Sequence, residues 1–127
     1  MRHACLAVVL TLWAAMAAAF EVEDYRLYPG TGEAVLRIVS TADLEVFEPY
    51  LLAYQASRPA LSIDYTVVSS ADLYRALRGG AEFDLALSSA MDLQFRLAND
   101  GLARPHRSDA TAALPDWARW RDLIFAF

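Results

Sequence analysis

Three short phrases rich in hydroxyl side chains recur along the chain, and they are the residues best suited to hold a ligand. They read STADL at 40–44, SSADL at 69–73 and SSAMDL at 88–93. Each opens with two adjacent hydroxyl residues, and the six are Ser40, Thr41, Ser69, Ser70, Ser88 and Ser89. Paired hydroxyls beside the free backbone N–H groups of a helix start suit an anion or a carboxylate. We take these six side chains as the candidate ligand-binding residues.

A structural role competes with ligand binding at each phrase. A serine lies three positions before an aspartate in every case, and the pairs are Ser40 with Asp43, Ser69 with Asp72, and Ser89 with Asp92. This spacing is typical of a helix start, where the serine caps the helix and the acid favours its positive end. One side chain suffices to cap, so each phrase keeps a second hydroxyl for another role.

The residues around the phrases predict alternating strands and helices. Short β-branched runs predict strands at 34–39, 61–68 and 83–87, and helical spacing predicts helices at 41–57, 72–77 and 91–99. This order implies an α/β fold, an open and mostly parallel sheet with helices on both faces. Ligands bind such sheets at the carboxyl ends of the strands, where all three phrases lie. Pro49 should kink the first helix or begin a fresh turn.

The first residues predict a protein that leaves the cytoplasm. Residues 1–19 hold Arg2 and then an uncharged run that ends in Ala17–Ala19, typical of a signal peptide cleaved before Phe20. The protein is then periplasmic and not inserted in the membrane, and an uncleaved anchor is the alternative. Cys5, the only cysteine, lies in this segment. Residues 20–33 are turn-rich and are expected to form an irregular lead-in.

Charge and composition argue against several function classes. The chain has 16 acidic residues, no lysine and a formal net charge of −5, which disfavours nucleic acid and anionic membranes as partners. His106 lies in a polar loop without a G-x-S-x-G elbow, so we expect no enzyme, and no cofactor is predicted. Trp117 and Trp120, three residues apart, are expected to form a helix face that packs on the sheet.

Longer stretches resemble a known family. They read STADLEVFEPYLLAYQ, IDYTVVSSADLYRAL, FDLALSSAMDLQFRLANDGLA and LPDWARWRD, in that order. Over about Leu36 to Phe127 the chain resembles the first lobe of periplasmic solute-binding proteins of ABC transporters, with a type 2 fold, in the branch that includes ferric-ion binders. The resemblance implies an anion, carboxylate or metal complex held at the six hydroxyl residues, with a transporter permease as partner. It also implies that 34–127 is one lobe, truncated before the hinge and second lobe.

The resemblance leaves two questions open. The same fold can feed a membrane sensor kinase, so ligand sensing is the alternative to uptake. Iron is the less expected ligand and no metal site is assigned, because the first junction reads Ser-Thr-Ala-Asp and lacks the histidine or tyrosine of ferric binders. Asp43 could serve as a ligand, but its spacing from Ser40 favours capping at the third helical position.

Overall fold

The computed structural model describes residues 20–126. The predicted signal peptide, residues 1–19, lies outside this range. No helix within 20–126 is both long enough and apolar enough to cross a membrane.

A four-stranded sheet organises the fold. Its strands are β1 (Val22–Tyr28), β2 (Val35–Ser40), β3 (Ser62–Val68) and β4 (Leu85–Leu87). They lie in the order β1-β3-β2-β4, with β2, β3 and β4 parallel and β1 antiparallel to β3. The helices are α1 (Leu44–Ser57), α2 (Ser70–Arg78), α3 (Met91–Asn99) and the short α4 (Asp109–Ala112). The predicted α/β fold with a mostly parallel sheet is confirmed.

Helices bury apolar side chains on both faces of the sheet, because successive strand residues point to opposite sides. On one face, Leu44 and Leu51 of α1 join a buried cluster with Ile38, Ile63 and Tyr65. On the other, a second cluster joins strands and helices through Val39, Val68, Leu73 and Leu97. The strands that carry the three phrases are thus fixed by packing on both sides.

The expectation of an irregular lead-in is wrong for most of residues 20–33. Val22–Tyr28 forms β1, which pairs along β3 with a register irregularity between Val22 and Asp24. Tyr28 is its only buried residue. Because the other six residues are exposed, β1 lacks the apolar alternation that marks a strand in sequence, and its backbone pairing with β3 holds it in place.

The structure differs from two further local expectations, which concern Pro49 and the two tryptophans. Helix α1 starts at Leu44 and runs through Pro49 as one helix. Trp117 lies on a single 3-10 turn, Asp116–Ala118, and is 82% exposed. Trp120 lies in a hairpin formed by β5 (Arg119–Trp120) and β6 (Ile124–Phe125), and its ring meets Phe95 of α3 edge to face at 4.9 Å. The expected tryptophan helix face is therefore wrong, because the two residues belong to different elements.

Candidate functional site

The three phrases meet at one edge of the sheet. Strand β2 lies between β3 and β4, and its last residue, Ser40, is level with Val67 on one side and Leu87 on the other. The backbone N–H of Thr41 donates to the carbonyl of Leu87 at 3.0 Å. Adjacent strands lie roughly 4.8 Å apart, so the junctions after β2, β3 and β4 are neighbours, as the parallel order predicts.

The first serine of each phrase bonds to the backbone, but only one of them caps a helix. The Ser69 hydroxyl accepts from the N–H of Asp72 at 3.1 Å and is the N-cap of α2. The Ser40 hydroxyl accepts from Ala42 N–H at 2.9 Å and that of Ser88 from Ala90 N–H at 3.1 Å, each closing a two-residue turn. The first serines therefore serve local structure.

Capping by Ser40 and Ser89 is a wrong prediction. The N-cap positions of α1 and α3 are Asp43 and Ala90, and neither side chain makes a capping hydrogen bond. Ser40 still belongs to β2, so the chain needs a turn before α1 can begin. Asp43 therefore lies at the N-cap and not at the expected third helical position, and it is exposed.

The second hydroxyl of each phrase is the one available at this edge. Thr41 and Ser70 are half-buried and Ser89 is exposed. Their side chains make no hydrogen bond to other groups within residues 20–126, whereas the Ser40, Ser69 and Ser88 hydroxyls are engaged. Ser40 is also fully buried, so its hydroxyl does not reach the surface. The three unengaged hydroxyls are Thr41 after β2, Ser70 after β3 and Ser89 after β4.

Asp72 is a buried carboxylate with several partners. It accepts from the Ser69 hydroxyl at 2.6 Å and from an Arg75 guanidinium nitrogen at 2.6 Å. The Ser69 hydrogen bond is the largest influence and lowers the pKa of Asp72 below its ordinary value; the backbone N–H of Glu21 and Arg75 add to this against the opposing effect of burial. Within the first turn of α2, Asp72 therefore joins the N-cap Ser69 to Arg75.

The lowered pKa predicts an acid-sensitive contribution to stability. A carboxylate whose pKa is depressed in the folded state stabilises it above its ordinary pKa, 3.8 here, and loses that effect as the pH falls through the folded value. Asp72→Asn should therefore flatten the fall in melting temperature between about pH 5 and pH 2. The matched control is Asp92→Asn, an exposed acid in the first turn of α3. Equal acid profiles for the two variants would contradict the role of Asp72.

Acidic side chains from β1 and from the start of α1 surround part of this edge. Because β1 runs antiparallel to β3, its first residues lie beside the carboxyl end of β3. A shallow depression of about 280 Å³ is lined by Glu23, Asp24, Asp43, Leu44, Glu45 and Val67. Its four carboxyl groups disfavour an anion there. Within residues 20–126, no group of three or more His, Cys, Asp or Glu residues is arranged to hold a metal ion.

A larger depression, about 330 Å³, lies elsewhere, at the carboxyl-terminal ends of α2 and α3. It is lined by Arg78, Asp100 and Leu102, and the two charged side chains pair at 3.3 Å. Helices α2 and α3 begin at the phrases, so this depression lies at their opposite ends. The carboxyl ends of three neighbouring strands meet at the phrases, which we therefore take as the candidate site. Exposed His106 contacts Phe125 edge to face at 6.3 Å between ring centroids.

Comparison with known proteins identifies a similar solved structure. No protein-family model matches the chain, and no curated protein matches it. A solved structure, the substrate-binding protein of an ABC transporter from Agrobacterium tumefaciens, is similar with a TM-score of 0.76 and 26% sequence identity. The match covers 82% of this chain and 33% of that one, so the chain spans about a third of that protein's length. In fold and in sequence, the chain is similar to part of an ABC transporter substrate-binding protein.

Proposed function

We propose that this chain is a ligand-binding lobe of an exported solute-binding protein that serves an ABC uptake transporter. The observation that carries the proposal is the meeting of Thr41, Ser70 and Ser89, each unengaged within residues 20–126, at the carboxyl edge of a parallel sheet, where such folds bind ligands. The similarity to a transporter substrate-binding protein supports uptake. Nothing comparable supports the sensor-kinase alternative.

The ligand is proposed to be an anion or a carboxylate compound, held on the side of the edge formed by β2 and β4. Thr41 and Ser89 follow these two strands, and the first N–H groups of α1 and α3 lack partners within their own helices. Of the carboxylates that line the acidic depression, Glu23 and Asp24 lie on β1 and would repel an anion from that side. Asp43 and Glu45 lie at the start of α1 and would weaken its binding beside Thr41. A metal complex fits if it presents an anionic group to these donors.

The site is proposed to be half of a clamp. The similar chain is about three times as long as the part matched here, and two-lobed binding proteins close a second lobe over the ligand. We also propose that residues 1–19 direct export to the periplasm, where a transporter permease would receive the loaded protein. The similarity to a transporter component supports both proposals, closure by a second lobe and export to the periplasm.

The proposal is tested by removing two of the available hydroxyls. Thr41→Val with Ser89→Ala should weaken binding of a small anion about tenfold, because each lost hydrogen bond is worth about 0.5–1.5 kcal/mol. Sodium phosphate and sodium acetate are titrated separately into the ¹⁵N-labelled protein, with backbone amide shifts as the readout. In the unaltered protein, the amides of 41–44 and 89–92 should move.

The matched control carries the same two types of change away from the edge. Thr31→Val with Ser57→Ala alters exposed hydroxyls, the first before β2 and the second at the carboxyl end of α1. It should leave the dissociation constants unchanged. Equal loss of affinity in both double variants, or shifts confined to other parts of the sheet, would contradict a ligand site at the phrases.

A further inference from the structure

Both backbone groups of Ala42, the residue after Thr41, are held by buried side chains. Its N–H donates to the Ser40 hydroxyl at 2.9 Å, and its carbonyl accepts from the Tyr65 hydroxyl at 3.0 Å. Ser40 and Tyr65 are both fully buried. Two strands thus supply the groups that hold one residue of the first junction, since Ser40 ends β2 and Tyr65 lies within β3.

Pairing between the two strands closes the arrangement, because Ile38 of β2 lies opposite Tyr65 of β3. The connections run from the Ala42 N–H to the Ser40 hydroxyl, along β2 and across to β3, and from the Tyr65 hydroxyl back to the Ala42 carbonyl. We call this closed set of contacts the Ala42 ring. Burial raises the pKa of Tyr65, so its phenol keeps its proton and can donate to the Ala42 carbonyl.

The Ala42 ring holds the backbone on both sides of Thr41, the residue that presents a hydroxyl at the site. Thr41 lies between Ser40 and Ala42, and its own N–H is bound to the carbonyl of Leu87 on β4. The Thr41 side chain is half-buried and makes no hydrogen bond within residues 20–126. Phe47 of α1 stacks on the Tyr65 side chain with 5.8 Å between ring centroids and a 13° interplanar angle. The backbone that carries Thr41 is therefore held from β2, β3, β4 and α1.

A turn at this position does not require the full set of bonds. At the third phrase, Ser88 makes the same two-residue turn by accepting from Ala90 N–H, and within residues 20–126 no tyrosine from a neighbouring strand completes it. The extra bond from Tyr65 is thus a property of the central junction, after β2. Resting on the proposed function, we propose that Tyr65 and Ser40 are positioning residues, which hold Ala42 so that Thr41 meets the ligand in one orientation.

The test compares two buried tyrosines of the same apolar cluster. Tyr65→Phe opens the Ala42 ring and keeps the aromatic packing. Tyr28→Phe is the matched control, because Tyr28 is also buried and also donates one hydrogen bond, to Glu48 at 2.9 Å, but lies beside Ile63 at the other end of β3. Hydrogen exchange is measured by NMR in both variants without ligand, at Ala42 and at Ile63 as a core reference.

Tyr65→Phe should speed exchange at Ala42 about tenfold more than at Ile63, the factor expected from losing one hydrogen bond. Tyr28→Phe should change the ratio of the two exchange rates little. Ser40→Ala opens the Ala42 ring from its other side and should reproduce the Tyr65→Phe result, which keeps the test decisive if one variant folds poorly. If exchange at Ala42 rises only in step with Ile63, the side chains support the fold in general and the proposal is wrong.

A second readout connects the Ala42 ring to binding. With inorganic phosphate as the probe, Tyr65→Phe should raise the dissociation constant read from the Thr41 amide at least threefold. Tyr28→Phe should leave this constant unchanged. Unchanged phosphate affinity in Tyr65→Phe, when the unaltered protein binds, would overturn the positioning role. If phosphate leaves Thr41 unmoved in the unaltered protein, the proposed ligand class fails, and hydrogen exchange still decides whether the Ala42 ring holds the junction.

Discussion

Leu51→Ala is expected to lower the free energy of unfolding by about 2–5 kcal/mol. Leu51 is only 4% exposed and belongs to the cluster that α1 forms with Ile38, Ile63 and Tyr65. Truncating it removes buried apolar contacts and leaves a cavity where the helix meets the sheet. A domain of this size is typically stable by only about 5–15 kcal/mol, so the change removes a large share.

Leu52→Ala is the matched control, because Leu52 is the next residue of the same helix and 47% exposed. The two variants make the same chemical change at almost the same place in α1, so helix propensity contributes equally to both. Leu52→Ala should change stability by less than about 1 kcal/mol. The measurement is urea-induced unfolding followed by circular dichroism, with the denaturant slope compared between variants. Similar midpoints for the two variants would contradict the placement of α1 on the sheet.

Gly30→Ala is expected to cost about 3 kcal/mol, the upper part of the usual range for overpacking. A Cβ atom at Gly30 would lie 2.4 Å from the carbonyl carbon of Leu61 and 2.6 Å from its oxygen. Neither the Gly30 backbone nor the Leu61 backbone can move away easily, because both are hydrogen-bonded. The Gly30 N–H is bound to the Ser62 hydroxyl at 2.9 Å, and the Leu61 carbonyl accepts from the Gln55 amide at 3.1 Å. The new methyl group must therefore displace backbone that is already hydrogen-bonded.

Gly101→Ala separates this clash from the general effect of replacing glycine. Gly101 has φ +79° and open space where a Cβ would lie, so its replacement costs backbone strain alone, about 1–2 kcal/mol. Thermal and urea unfolding of both variants should rank Gly30→Ala as the more destabilised. If Gly101→Ala were equal or worse, the contact between the β1–β2 connection and the start of β3 would be looser than the structure shows.

The sequence by itself determined the alternation of strands and helices and the placement of the phrases. The predicted strand 34–39 corresponds to β2, Val35–Ser40, and the predicted helix 91–99 corresponds to α3, Met91–Asn99. These elements are readable because their apolar spacing reflects burial on one or both faces, which is a local property of the chain. Parallel order then follows from the alternation, and with it the meeting of the three phrases at one edge.

Tertiary structure determined the features that depend on pairing between strands, namely the formation of β1 and the roles of the serines. Strand β1 shows too little apolar alternation to be recognised, and it exists because β3 offers an edge to its backbone. The roles of the serines were also beyond the sequence, since three similar phrases produce a cap at Ser69 and two-residue turns at Ser40 and Ser88. Ser40 differs further because β2 is central and Tyr65 of β3 reaches the Ala42 carbonyl beside it. A phrase specifies which groups can form hydrogen bonds, but the neighbouring strand determines which partners are within reach, and that depends on residues distant in the chain.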